Sequence, residues 1–180
     1  QIMVRITVSG LPGSGTSTLV QGICEVKGWS ALNGGDVFRE EAANRGLSVA
    51  DFSQLCKSNP TVDRELDHRL VEAMEDPKGP EIVESRLAGW WAYRNDIDCL
   101  RIWVEVDLNE RLDRVAMREG DDVRRREESL LREEADRQRY TELYDIDILS
   151  MEPYDLVIDG TKPSATDVLQ VVLAAMGDSS

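Results

Sequence analysis

Short apolar runs punctuate the chain at residues 6–8, 82–83, 100–106 and 154–158, with helix-like stretches between them. Runs of this length predict strands. A further short strand is predicted at residues 29–32, and a helix at 18–27, directly after the strand-like stretch 4–9. Strands alternating with helices argue for an α/β fold, a parallel sheet covered by helices on both faces. Its 180 residues suit one domain, 1–180, with a substantial core. In such sheets ligands bind outside the carboxyl ends of the strands. Residues 10–17, 34–36, 84–86 and 106–108 are therefore expected to face one crevice.

Two polar stretches interrupt the pattern. Residues 37–75 are helix-rich, with a thin apolar stripe of Leu47, Phe52, Leu55, Leu66 and Leu70, and are expected to form a mobile flap over the crevice. Ser48 and Asp51 read as a capping box, and Pro60 as the first residue of another helix. Residues 118–147 carry Arg118, Arg124, Arg125, Arg126, Arg132, Arg137 and Arg139 interleaved with acids. Such a run is ordinarily a solvated helix laced with i,i+4 pairs. Arg132, Arg139 and Tyr140 stand apart, because positions seven or eight apart return to one helix face. That face either meets solvent or presents two guanidinium groups to a phosphate chain.

A formal net charge of −14 argues against non-specific binding to nucleic acid or an anionic membrane, since both rely on clustered positive charge. Lysine occurs only at Lys27, Lys57, Lys78 and Lys162; every other cation is arginine. An acidic, lysine-poor chain suits a salty cytoplasm, although GC-rich coding produces the same skew. Cys24, Cys56 and Cys99 are widely spaced and odd in number, as expected of thiols in a reducing compartment. With neither a basic-then-apolar start nor a run long enough to span a bilayer, a soluble cytoplasmic protein is expected.

Between the first strand and the first helix lies Gly10-Leu11-Pro12-Gly13-Ser14-Gly15-Thr16-Ser17-Thr18. The phosphate-loop pattern GxxxxGK[ST] works because glycines let backbone N–H groups curl around phosphate oxygens, the lysine reaches the terminal phosphates and the hydroxyl binds Mg²⁺. Here Thr16 replaces the lysine, while Ser17 keeps the hydroxyl and the strand-to-helix context is right. The alternative is a glycine-rich turn without a ligand. With the lysine missing, arginines from elsewhere must supply the cations that phosphoryl transfer requires.

Several residues are placed to do so. Arg39 lies one turn into a helix that begins at the end of a predicted strand, where it could clamp a second phosphate bidentately. Asp36 either caps that helix or orients metal-bound water, or both. Glu84 ends a predicted strand beside the loop and could hold Mg²⁺ through water. Arg86, two residues on, would point to the same side of an extended chain. Alternatively Glu84 and Arg86 pair with each other. Trp90 and Trp91 more often pack a core than stack on a base. His68, on a charged helical stretch, reads as a surface residue, and nothing nearby completes a triad with it.

The loop GLPGSGTST, then GGDVFREEA, SVADFSQLCKSNPTVDRELDHRL, IVESRLAGWWA, REEADRQRYTELYDIDI and YDLVIDGT, together resemble the archaeal type of cytidylate kinase across nearly the whole chain. That resemblance implies a P-loop, NMP-kinase-like three-layer sandwich: a five-stranded parallel sheet, a helical monophosphate-binding flap at about 37–75, and a short lid with its following helix at about 118–140. It implies transfer of the γ-phosphate of ATP, with Mg²⁺, to CMP or dCMP, by a chain expected to act as a monomer. By motif position, Gly10, Leu11, Pro12, Gly13, Ser14, Gly15, Thr16, Ser17 and Thr18 would hold ATP, with Ser17 and Glu84 on the metal. Asp36, Arg39, Arg86 and Asp136 would bind the acceptor, and Arg86, Arg132 and Arg139 would act on the transferring phosphate. Thr16 departs from the usual pattern, though lysine-free loops of the GTGTTT kind are familiar in that group. The other readings are a kinase for UMP, AMP or a small metabolite, and a nucleotide-binding regulator without catalysis.

Overall fold

The computed structural model describes residues 3–120 and 123–177. Five strands, β1 (Ile6–Gly10), β2 (Ala31–Asn33), β3 (Ile82–Glu84), β4 (Leu100–Glu105) and β5 (Leu156–Asp159), form one sheet in the order β2-β3-β1-β4-β5. Every pairing is parallel, with Val8 opposite Glu84 on one side and Ile102 on the other. β1 is central and buried throughout, as a strand covered on both faces must be.

Eight helices accompany these strands among the described residues: α1 (Thr16–Lys27), α2 (Gly34–Asn44), α3 (Val49–Ser58), α4 (Pro60–Glu75), α5 (Ala88–Arg94), α6 (Leu108–Glu119), α7 (Val123–Tyr144) and α8 (Ala165–Ala175). Period-two alternation divides the sheet's side chains between two cores. Ile82, Ile102 and Val104 pack with Leu19, Ile23 and Val172 under α1 and α8. On the opposite face, Val83 and Trp103 pack with Met74, Trp90, Trp91 and Tyr140 from α4, α5 and α7. Trp90 and Trp91 thus belong to the core.

The 37–75 stretch has a small core of its own. Ala42, Phe52, Cys56 and Val62 are buried together, with Phe38, Leu47, Leu55 and Leu66 against them, while Leu70 joins the main core instead. Ser48 caps α3 by accepting from the Asp51 N–H at 3.1 Å. Pro60 opens α4 behind an Asn59 cap, where its missing N–H costs nothing. Asp121 and Asp122, which fall within the expected lid, lie outside the described residues. Among the described residues no helix is long and apolar enough to cross a membrane, and the three cysteines are unpaired.

Candidate active site

The carboxyl ends of β1, β2 and β3 converge on the glycine-rich loop. Gly13 and Gly15 take φ of +84° and +83°, a region side-chain-bearing residues avoid. At Gly13 there is also no room, since a Cβ would sit 2.6 Å from the Arg111 carbonyl oxygen. Gly15 is the N-cap of α1 and supplies no side-chain cap. The first N–H groups of α1 therefore keep their donors, at the positive end of the helix dipole, for a ligand. Thr16 is the first residue of that helix.

Ser17, on the first turn of α1, donates its hydroxyl to Glu84 Oε2 at 3.1 Å. The other carboxylate oxygen accepts from Asn33 Nδ2 at 2.8 Å. Glu84, only 7% exposed, is thus held between the start of α1 and the end of β2. It does not pair with Arg86, which corrects one sequence reading. The strand stops at Glu84, so strand alternation does not carry two residues further. Arg86 leaves the turn toward α7, where it pairs with Asp136 and meets Tyr140. Burial opposes the charge on Arg86, but Tyr140 and Asp136 outweigh it and raise its pKa.

Asn33, rather than Asp36, caps α2. Its Oδ1 accepts from the N–H groups of Gly35 and Asp36 at 2.7 and 3.3 Å. The helix therefore begins at Gly34, two residues before the aspartate, because the cap at Asn33 satisfies its first donors. Asp36 pairs instead with Arg39 at 2.6 Å, both side chains well exposed at 71% and 59%. A Cβ on Gly34 would lie 2.9 Å from Ser85 Cβ, so this glycine lets the α2 N-terminus approach the turn that carries Arg86.

Two arginines from α6 reach the loop from the other side. Arg111, 6% exposed, donates to the Val106 and Pro12 carbonyls at 3.1 and 3.3 Å and to Glu133 of α7 at 2.8 Å. Arg114 donates to the Gly13 and Gly160 carbonyls at 3.4 and 2.9 Å. Sequence reasoning missed both. The available signal was their i,i+3 spacing on a helix that opens outside a strand's carboxyl end.

The cleft between the loop, α6 and α7 is lined by Pro12, Arg86, Arg118 and Arg132, with Asp136 and Glu133 at its wall. Arg132 and Arg139 do not stand together. Arg139 turns to α4, its Nη1 lying 3.6 Å from Asp63 Oδ2. Burial raises the pKa of Asp63, against the pull of Arg139. Next to it, Asp67 accepts a hydrogen bond from the Tyr144 hydroxyl, and burial pushes its pKa up to about 6. Elsewhere the charge run keeps its solvated character, with Arg124 and Glu128 paired along α7 at 3.4 Å. On α4, His68 is exposed and pairs with Glu72 at 3.0 Å.

A family model described as an AAA domain matches residues 6–140. The cytidylate kinase of Archaeoglobus fulgidus is 40% identical over 174 residues, spanning 96% of this chain and 94% of that protein. That of Pyrococcus abyssi is 41% identical over 175 residues, spanning 95% and 92%. Among solved structures, the shikimate kinase of Bacteroides thetaiotaomicron superposes with a TM-score of 0.64 at 12% identity, covering 98% of this chain and 99% of that one. That likeness concerns the fold alone.

Proposed function

The chain belongs to the family of archaeal cytidylate kinases, and from that premise we propose that it transfers the γ-phosphate of ATP to CMP or dCMP. The observation that supports the reading is that an open helix N-terminus and a pair of arginines meet about Glu84. On one side Ser17 sits in the first turn of a helix with an open N-terminus; on the other, Arg39 and Arg86 flank the ends of β2 and β3.

In this reading residues 10–18 hold the ATP phosphates through backbone donors. The adjoining carboxylate and hydroxyl of Glu84 and Ser17 suit a hard cation and would hold Mg²⁺, which would neutralise phosphate charge. Arg39, released from Asp36, and Arg86, released from Asp136, clamp the acceptor phosphate, so each carboxylate serves as a place-holder for it. Arg132 reaches the transferring phosphate from the cleft wall, Arg139 contacts the nucleotide, and Arg111 and Arg114 set the shape of the loop. The acceptor oxygen is already anionic, so no side chain has to remove a proton. Catalysis then rests on positioning and charge. The α2–α4 segment, with its separate core, acts as the flap, and α6 and α7 close over the phosphates to exclude water.

Coupled measurement of ADP formation with CMP, dCMP, UMP and AMP tests this reading. Turnover preferring the cytidine nucleotides supports it; ATP binding without turnover on any acceptor would make the chain a regulator.

A further inference from the structure

Asp63 of α4 and Arg139 of α7 face each other without satisfying each other. Asp63 is 8% exposed, yet its Oδ2 makes no hydrogen bond and lies 3.6 Å from Arg139 Nη1. The Arg139 Nε, likewise shut off from water, makes none either. Buried polar atoms in folded proteins nearly always have partners, so an acceptor and a donor left open side by side point to a ligand group that completes them.

Position identifies the ligand. Arg139 is one helical turn from Asp136, which holds Arg86, and Tyr140 touches Arg86 as well. A molecule whose phosphate is clamped at Arg86 and which lies along α7 brings its other end to Asp63. The neighbouring carboxylate Asp67 is already engaged by Tyr144, which leaves Asp63 with the open acceptor.

We propose that Asp63 and Arg139 read the Watson–Crick edge of the acceptor base: the carboxylate accepts from the exocyclic amine of cytosine, and the guanidinium donates to its N3 and O2. This inference rests on the cytidylate kinase reading and assigns its specificity. Uracil presents a carbonyl oxygen where the carboxylate needs a donor, and an N–H where the guanidinium needs an acceptor. Both contacts become repulsive or unpaired, and a site built around hydrogen bonds rejects such a mismatch strongly. The base edge enters as the α2–α4 segment shifts on α7, parting the two side chains.

Steady-state kinetics of the wild type, Asp63→Asn and Arg139→Gln with CMP and UMP, at saturating ATP, test the proposal. The amide that replaces the carboxylate in Asp63→Asn can donate to a carbonyl as well as accept from an amine. The ratio of kcat/KM for CMP over UMP is expected to fall at least about tenfold in Asp63→Asn, mainly through a raised KM for CMP, while the KM for ATP changes less than about twofold. Should Asp63→Asn fail to fold, the half-buried Arg139 reads out the same pair, and Arg139→Gln is expected to lower the ratio as much. Equal losses on CMP and UMP, with the ratio unchanged, would give the pair a structural role only and overturn the proposal. A wild type that prefers a non-cytidine acceptor would instead overturn the reading on which it rests.

Discussion

Ser17 and Glu84, 67 residues apart in the chain, meet at 3.1 Å where the first helix and the third strand come together. This contact requires the parallel order in which β3 lies beside β1, so that the end of one strand abuts the loop that follows the other. Asn33 completes it from β2, using one end of its amide for Glu84 and the other to cap α2. One carboxylate therefore ties the start of α1, after the glycine-rich loop, to the residue that caps α2.

Removing either half of that contact should injure catalysis more than folding. Glu84→Gln and Ser17→Ala are each expected to lower kcat by about a hundredfold, the scale of losing one preorganised electrostatic contact, and to raise the Mg²⁺ concentration needed for half-maximal rate. Titrating Mg²⁺ against rate checks this; an unchanged Mg²⁺ requirement would dissociate both residues from the metal.

The lysine missing at Thr16 should make the cleft arginines carry more of the phosphate charge. Arg132→Ala is expected to cost more rate in this chain than after Thr16→Lys, with the two changes coupled by at least about threefold in kcat/KM. A double-mutant cycle measures this, and strictly additive losses would contradict the division of labour.

Arg111 joins three partners from inside the structure, two carbonyls and Glu133. Arg111→Met leaves Glu133 with a half-buried, uncompensated charge and should destabilise the fold by about 3–5 kcal/mol. Adding Glu133→Gln should recover part of that loss. Denaturant unfolding of the single and double variants tests both statements, and a single variant as stable as the wild type would show the tie to be idle.

Asp67 sets a pH dependence of stability. Its folded pKa of about 6 lies above the ordinary carboxylate value of roughly 3.9, so between these values the folded state holds more protons than the unfolded one. Its contribution is therefore fully present below about pH 4 and is lost as pH rises through about 6. Asp67→Asn, which keeps the neutral shape, should flatten this decline, by at most about 2–3 kcal/mol. Asp63 shifts in the same direction, so some slope remains. Urea unfolding at about pH 4.5 and 7 checks the sign; stability of the wild type relative to the variant that rises with pH would contradict it.

The parts of the site legible in sequence are those in which local chemistry and fold agree. An apolar run followed by spaced glycines predicts the strand, turn and helix that form, and Glu84 reads as the last residue of a buried strand, as it is. What escaped depends on contacts distant in sequence. The segment DLNERLDR looks like any solvated helix, and only the packing of α6 on the loop shows that Arg111 is buried and Arg114 engaged. Asp36 reads in the sequence as the cap of α2, as a group orienting metal-bound water, or as both, whereas the Asn33 side chain is the cap and starts the helix through Gly34 and Gly35. Arg139 shares its helix face with Arg132, as periodicity indicates, but rise along α7 separates them by about 10 Å, and α4 meets only the later one.

The most direct test of the account is ADP formation by the purified chain with ATP and Mg²⁺ and each of CMP, dCMP, UMP and AMP. The account predicts turnover with CMP and dCMP at a kcat/KM at least about a hundredfold above that for UMP and AMP, as a hydrogen-bonding base site requires. No turnover with any acceptor, or preference for UMP or AMP, would contradict it.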